Sequence, residues 1–314
     1  MITRRFFSVC GWSLTVLLAA AGGVRAQAPD SPPLQLTSEQ SGTRPNNVYG
    51  PKLIWQTING QRVLVMYFGG WYRTDPTRPP NDAIYRAVCS APNQCGDAQK
   101  VIDPVAAGMG SAALINNPTI VELPGAGRPY LVMYMTGVTG EDPNAGWTPE
   151  NNKIYFSTSW ADDGVNWSTP QLLIDNAWLP SATIDAGGNV ILYANTNWNN
   201  NPYFMARYDL GPGGTNVPPP QPFVTDNGVD YINVEARYRP EIGLYQMLAQ
   251  QTTSGFNSQV DLLQSQDGIN WQVAAQGITP DGMTPGAHPD SACWVYYGRA
   301  PQIYLSNIFL KAWC

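Results

Sequence analysis

An all-β fold, a five-bladed β-propeller of antiparallel sheets, is what this sequence predicts, and three observations carry the prediction. Short runs of Val, Ile, Tyr, Leu and Met alternate with clusters of Gly, Pro, Asn and Asp, and almost nothing has helical period. A strand followed by a tight turn and a Trp occurs twice, ending Asp163-Gly164-Val165-Asn166-Trp167 and Asp267-Gly268-Ile269-Asn270-Trp271. Strand–turn–strand units start at positions 51, 118, 181, 236 and 291, in steps of 67, 63, 55 and 55 residues. Even spacing of units this size is the signature of radial repetition. A β-sandwich with several hairpins is the alternative; the even steps and the recurring turn favour the propeller.

Residues 1–26 read as an export signal rather than as part of the fold. Arg4 and Arg5 form a charged start, Phe6 to Ala21 is apolar, and Val24-Arg25-Ala26 suits cleavage before Gln27. Thr3-Arg4-Arg5-Phe6-Phe7 also matches a twin-arginine signal, with an ordinary secretory signal as the other option. A single membrane anchor is the alternative, disfavoured by the short run and its Gly-Gly end. With the signal removed, no anchor remains, and a periplasmic or secreted protein is expected. The full chain carries a net charge of −6, and losing Arg4, Arg5 and Arg25 makes it more acidic. No basic cluster is present, so nucleic acid is excluded as a partner.

Residues 27–47 are rich in Pro, Ser and Thr and read as a linker or lead-in, with the propeller over 48–314. First strands start at Pro51, Pro118, Ser181, Ala236 and Ser291, and a Gly-containing turn follows each. Second strands are Val63 to Phe68, Tyr130 to Met135, Val190 to Ala194, Leu244 to Ala249 and Gln302 to Ile308. Third strands follow in four units: Ala83 to Ser90, Lys153 to Ser159, Tyr203 to Asp209 and Val260 to Ser265. In the repeated turn, Ser265 and Asp267 are placed to bond backbone amides, Gly268 takes the positive φ, and Trp271 folds back as a lid. The long connections 69–82 and 136–152 follow second strands and read as functional loops. Gly211 to Pro220 reads as a surface linker.

Cys10 leaves with the signal, and Cys89, Cys95, Cys293 and Cys314 remain, an even number suited to an oxidising compartment. Three pairings are open; Cys89–Cys95 and Cys293–Cys314 are favoured. Metal ligation by these cysteines is not expected, with one His and no Cys-x-x-Cys in the chain.

In a propeller the innermost strands line a central channel. The residues just before the first strands, Gly50, Asn117, Pro180, Glu235 and Asp290, therefore form a ring at one end of it. Asn116, Asn233 and the lone His288 lie close by in sequence. Two ring members are carboxylates, and a carboxylate pair flanking a cavity is what glycosidic cleavage requires: an acid for the leaving oxygen and a base or nucleophile on the other face. Each has a structural reading as well. Glu235 pairs with Arg237 or Arg239, Asp290 caps a turn, and His288 is a satisfied buried side chain.

Five blades, the Ser-x-Asp-Gly-x-Asn-Trp turn, Asn116-Asn117-Pro118-Thr119 and Val234-Glu235-Ala236 resemble glycoside hydrolase family 43 of the arabinanase and β-xylosidase superfamily. Pro285-Gly286-Ala287-His288 resembles that family's last-blade segment, whose His lies near a bound ion or water. The resemblance implies Glu235 as general acid. The family's Asp-Pro opening the first blade is Gly50-Pro51 here, and its second Asp falls on Asn117 or Pro180. The base must come from elsewhere: Asp290 first, then Asp82, Asp185 and Asp230.

Trp71, Trp147 and Trp198 lie in or beside loops rich in Asn, Gly and charge, which suits sugar rings; packing between blades is the other use of such aromatics. The expected substrate contacts are Asn116, Asn117, Trp71, Trp147, Trp198, Arg237 and His288. A monomeric exported glycosidase acting on a poly- or oligosaccharide follows, with a non-catalytic glycan-binding propeller as the alternative. A sialidase-like enzyme is a third option, but Asp267-Gly268 lacks the intervening residue of a sialidase Asp box. No cofactor is marked out by the sequence; a structural Ca²⁺ or Na⁺ in the channel is compatible with the Asp, Asn and backbone oxygens there.

Overall fold

The computed structural model describes residues 35–36, 47–71, 82–91, 94–139, 151–198, 201–251, 260–276, 291–297 and 300–306. Among them there is no helix, and the sheets form a β-propeller. The innermost strands are Asn47–Ile58, Leu114–Leu123, Ala177–Ile184, Tyr231–Arg239 and Ser291–Tyr297. Each lies beside the next, and the fifth lies beside both the fourth and the first, which closes the ring. Four sheets have four or more strands; the fifth has two among the described residues, Ser291–Tyr297 and Ala300–Ser306.

Within a blade each strand turns back antiparallel on its predecessor. The first three strands of the four larger blades, and the two of the fifth, are those the alternating apolar runs predict. The outer strands, Gln99–Ile102, Gln171–Asp175, Gln221–Pro222 and Asn270–Ala275, are not distinguished in the sequence. They are short and half exposed, so they carry little apolar pattern. Gln35–Leu36, inside the lead-in, pairs in parallel with Gln94–Cys95 at the rim of the first blade. A disulfide joins Cys89 to Cys95 at that rim. Cys314 and the side chain of Cys293 lie outside the described residues.

The core is a set of layers between blades. Val65, Tyr67 and Ile84 of the first blade meet Ile120, Leu131 and Met133 of the second. Leu123, Val132 and Tyr134 of the second meet Ala182, Val190 and Leu192 of the third. Ile191 and Tyr193 of the third meet Met247 and Trp271 of the fourth. The facing surfaces of the first four blades thus cover one another, which is why second strands there are apolar on both faces.

The repeated turn is built as its residues require. Asp267 Oδ1 accepts from the amides of Ile269 and Asn270 at 2.8 Å each, and Ser265 Oγ accepts from the Gly268 amide at 2.8 Å. Gly268 has φ +72°, and a Cβ there would lie 2.7 Å from Tyr193 Oη. Trp271 is buried and donates its indole N–H to the Gly268 carbonyl at 3.3 Å. The Asp163 turn repeats the pattern, with Trp167 donating to the Gly164 carbonyl at 3.1 Å.

These turns also tie blades together. Tyr67, Tyr134 and Tyr193 sit opposite equivalent inner-strand residues on their second strands. Their hydroxyls donate to the carbonyls of Gly164, Gly214 and Gly268 of the following blade, at 2.9, 2.7 and 2.9 Å. Burial pushes the Tyr67 phenol up to about 12 and raises Tyr134 and Tyr193 as well, so all three stay protonated donors at neutral pH. The segment 211–220, expected to be only a surface linker, therefore supplies one member of this latch through Gly214. Leu248 occupies the matching position in the fourth blade.

Burial acts to raise the Asp267 carboxyl, but the bonds from Asn270, Ile269 and Ser265 outweigh it and hold it well below the usual carboxylate range. A group lowered in the folded state stabilises above its unfolded pKa of about 3.9 and loses that contribution as pH falls through the folded value. Asp267→Ala is therefore expected to lower the urea midpoint at pH 7, with the gap from wild type closing as pH falls below about 4. Tyr193→Phe is expected to cost about 1 kcal/mol in the same measurement.

Candidate functional site

Each of the first four inner strands is interrupted at the same place. Pairing with the second strand skips two residues between Tyr49 and Lys52, Asn116 and Thr119, Trp178 and Ser181, and Ile232 and Glu235. The first skipped residue is left-handed in every case: Gly50 (φ 56°), Asn117 (48°), Leu179 (53°) and Asn233 (47°). Gly and Asn tolerate this conformation, whereas Leu179 is strained in it. Thr136 Oγ1 of the neighbouring blade accepts from the Leu179 amide at 2.8 Å and helps to hold it.

These bulges turn Gly50, Pro51, Asn117, Pro118, Leu179, Pro180, Asn233, Val234 and Glu235 toward one narrow mouth at the leading end of the channel. The structure thus brings together four of the five expected ring residues: Gly50, Asn117, Pro180 and Glu235. They sit inside bulged strands rather than before the strands, which begin three or more residues earlier. The bulge register also shifts two equivalences, and Pro180 matches Pro51 and Pro118 rather than Gly50 and Asn117. Glu235 matches Lys52, Thr119 and Ser181, not Gly50 and Asn117.

That equivalence explains how the inner strands are joined. Thr119 Oγ1 accepts from the Ala182 amide at 3.1 Å, and Ser181 Oγ accepts from the Ala236 amide at 2.8 Å. Each links one blade to the next. Glu235 instead accepts from Lys52 Nζ in the first blade, so this ion pair reaches past the fifth inner strand. Both side chains are about 5% exposed. Arg237, two residues along the same strand, places Nε 3.9 Å from Glu235 Oε1. Arg239 bonds Glu241 and Gln246 at 2.5 and 2.7 Å. The expected structural partner Arg237 is present, and the closer one, Lys52, is not visible in a sequence where it lies 183 residues away.

Asn116 and Asn117 form the second polar group at the mouth. Asn117 Nδ2 donates to Asn116 Oδ1 at 3.0 Å, and Asn116 Nδ2 donates to Asp82 Oδ2 at 3.1 Å. Asp82 and Asn116 are buried. Asp185, another candidate base, instead closes the turn at the far end of the third inner strand, accepting from the Gly187 and Asn189 amides at 2.8 Å. Asp230 is exposed beside the fourth inner strand. Asp290, His288 and Trp147 lie outside the described residues. So do the side chains of Trp71 and Trp198, whose backbones end second strands at the mouth end of the first and third blades.

A larger cavity of about 520 Å³ opens at the trailing end, lined by Lys52, Trp55, Arg62, Thr183, Arg237 and Tyr238 among others. The leading end remains the candidate site, because the four bulges and the Asp82–Asn116–Asn117 chain meet there. Among the described residues no group of three or more His, Cys, Asp or Glu side chains is placed to hold a metal ion.

The fold is that of the glycoside hydrolase family 43 propellers, as solved structures show. The chain superposes on an N-acetylgalactosamine deacetylase from F. plautii, solved with blood group B trisaccharide, at TM-score 0.55 and 16% identity, covering 87% of this chain and 81% of that one. An exo-β-1,3-galactanase from Clostridium thermocellum matches at TM-score 0.59 and 13% identity, over 89% of this chain and 57% of that one. A family 43 arabinoxylan arabinofuranohydrolase from Bacillus subtilis matches at TM-score 0.53 and 15% identity, over 79% and 56%. The chain thus spans little more than half the length of the last two. No family model and no curated protein matches the sequence.

Removing one partner of a buried ion pair leaves an uncompensated charge, whereas replacing both with apolar groups does not. Glu235→Leu is expected to destabilise by about 3–5 kcal/mol, and Lys52→Met by less, because Arg237 Nε stays 3.9 Å from Glu235 Oε1. The double variant is expected to lose far less than their sum, as a guanidinium denaturation cycle would show.

Proposed function

We propose that this is an exported carbohydrate-active protein of the glycosidase type, which seats a poly- or oligosaccharide at the leading end of its channel, with Glu235 at the centre of the site. The observation that carries this reading is the convergence of four inner-strand bulges on one mouth with a buried carboxylate. Glu235 also ties the fourth blade to the first through Lys52, but it lines the mouth as well, and the glycosidases sharing the fold make sugar the natural ligand. Export rests on the basic and apolar start of the chain and on the cysteine usage.

Hydrolysis requires Glu235 to protonate the leaving oxygen and a second carboxylate to act from the other face. The described mouth supplies Glu235 alone, so the base is assigned to Asp290, which immediately precedes the fifth inner strand in sequence. Glycan binding without turnover is the second reading, and the Lys52–Glu235 contact favours it. Glu235 Oε1 already accepts a hydrogen bond from Lys52, which favours the ionised carboxylate over a proton donor. Cleavage therefore has to run from Oε2 or follow a shift of Lys52, and simple binding needs neither.

Reducing-end release from arabinan, xylan, levan and bacterial exopolysaccharides, read alongside affinity electrophoresis on the same polymers, separates the readings. Under the first, wild type releases product from one of them and Glu235→Gln slows release by about 10²–10⁴-fold. Retention on one polymer with no release by either protein supports the second. Neither release nor retention on any polymer would sink both.

A further inference from the structure

We propose that Asp82 is a positioning residue that fixes the polarity of the mouth: through Asn116 it turns the side-chain carbonyl oxygen of Asn117 toward the ligand, making that position an acceptor for a sugar hydroxyl. The ligand part rests on the carbohydrate reading above; the polarity part does not.

The inference follows from what each group can do. A carboxylate only accepts hydrogen bonds, whereas a carboxamide has one accepting and one donating end. Asn116 touches Asp82 at 3.1 Å and must therefore present its NH₂ to it. Its carbonyl oxygen then faces Asn117, 3.0 Å away, and can only receive a donor. Asn117 must use its NH₂ there, which leaves its own Oδ1 pointing away from the chain. One anionic end thus orients two amides in series, and no choice of amide orientation is left open.

A separate observation shows where that oxygen goes. Gly50 and Asn117 both line the mouth, and a Cβ placed on Gly50 would lie only 2.5 Å from Asn117 Oδ1. The oxygen therefore rests over the bare Cα of Gly50, at the entrance shared with Glu235. Asn117 is held there by its left-handed backbone, φ 48°, inside the bulge. Asp82 and Asn116 are buried and Asn117 is partly exposed, so the polarity is set in the interior and read out at the surface. Asp82 opens the third strand of the first blade, Ala83–Ala91, and its backbone carbonyl accepts from the Ile115 amide at 3.1 Å, which locks the first blade to the second at this level.

Asp82→Asn tests this, because it keeps volume and removes the anionic end. With a carboxamide at 82 the whole series can reverse, so that Asn117 offers NH₂ to the mouth. Solvent exchange of the Asn117 side-chain NH₂, followed by ¹⁵N NMR on the full chain, is expected to be slow in wild type and at least about tenfold faster in Asp82→Asn. Asn116→Ala, which cuts the chain without touching Asp82, is expected to do the same and serves if Asp82→Asn does not fold. Unchanged exchange in a folded variant would overturn the proposal.

Titration of arabino-, xylo- and galacto-oligosaccharides provides the second arm. An oligosaccharide held by wild type is expected to bind about tenfold more weakly to Asp82→Asn, the loss of roughly one hydrogen bond. Equal affinity would overturn the ligand-facing role. If wild type binds none of them and is retained on none of the polymers above, the carbohydrate reading fails, and the polarity assignment is decided by the exchange result alone.

Discussion

A two-residue bulge with a left-handed first residue, repeated in four inner strands, is the constraint on which the rest of this structure depends. Without it, a strand would alternate its side chains evenly between blade interfaces. The bulge re-aims the backbone, so that Gly50, Asn117, Leu179 and Asn233 face a common axis. It also sets the next residue of each strand, Lys52, Thr119, Ser181 and Glu235, where it can reach another inner strand. Two of these use a hydroxyl to hold the adjacent blade, and the other two find each other.

The periphery follows a second repeated device. The Asp turns present a carbonyl inward at Gly164 and Gly268, and a tyrosine from the preceding blade donates to it. The third blade reaches the same end without an Asp turn, through the carbonyl of Gly214. The hydrogen bond, not the turn motif, is what recurs. Axis and rim are therefore tied separately, by hydroxyls and an ion pair at the centre and by phenols further out, with apolar layers between.

At the mouth the chemistry is uneven. The family 43 pattern that the sequence resembles has an Asp where Gly50 stands, and the described ring holds Glu235 as its carboxylate. Its oxygen is already bonded to Lys52, and Asn117 is oriented by a buried Asp82. Such a ring is polar and directed, and under the proposed reading it would meet sugar hydroxyls, with Glu235 and Asp290 as the acid–base pair.

Much of the fold was legible in the chain by itself. Alternating apolar runs gave the first three strands of the four larger blades, because buried strands must be apolar whatever their neighbours. The Asp-Gly-x-Asn-Trp turns were readable because all their bonds are local, within six residues of Ser265. The clip between Cys89 and Cys95 was local too. The ring was found from spacing, though one register step off at Pro180 and two at Glu235, since a bulge leaves no mark in composition when Leu179 takes the left-handed position. What tertiary structure alone decided is everything that joins distant residues: Lys52 with Glu235, Asp82 with Asn116, and each tyrosine with its glycine carbonyl. These pairings depend on which blade faces which and at what height along the axis, and that is a property of the closed ring rather than of any segment within it.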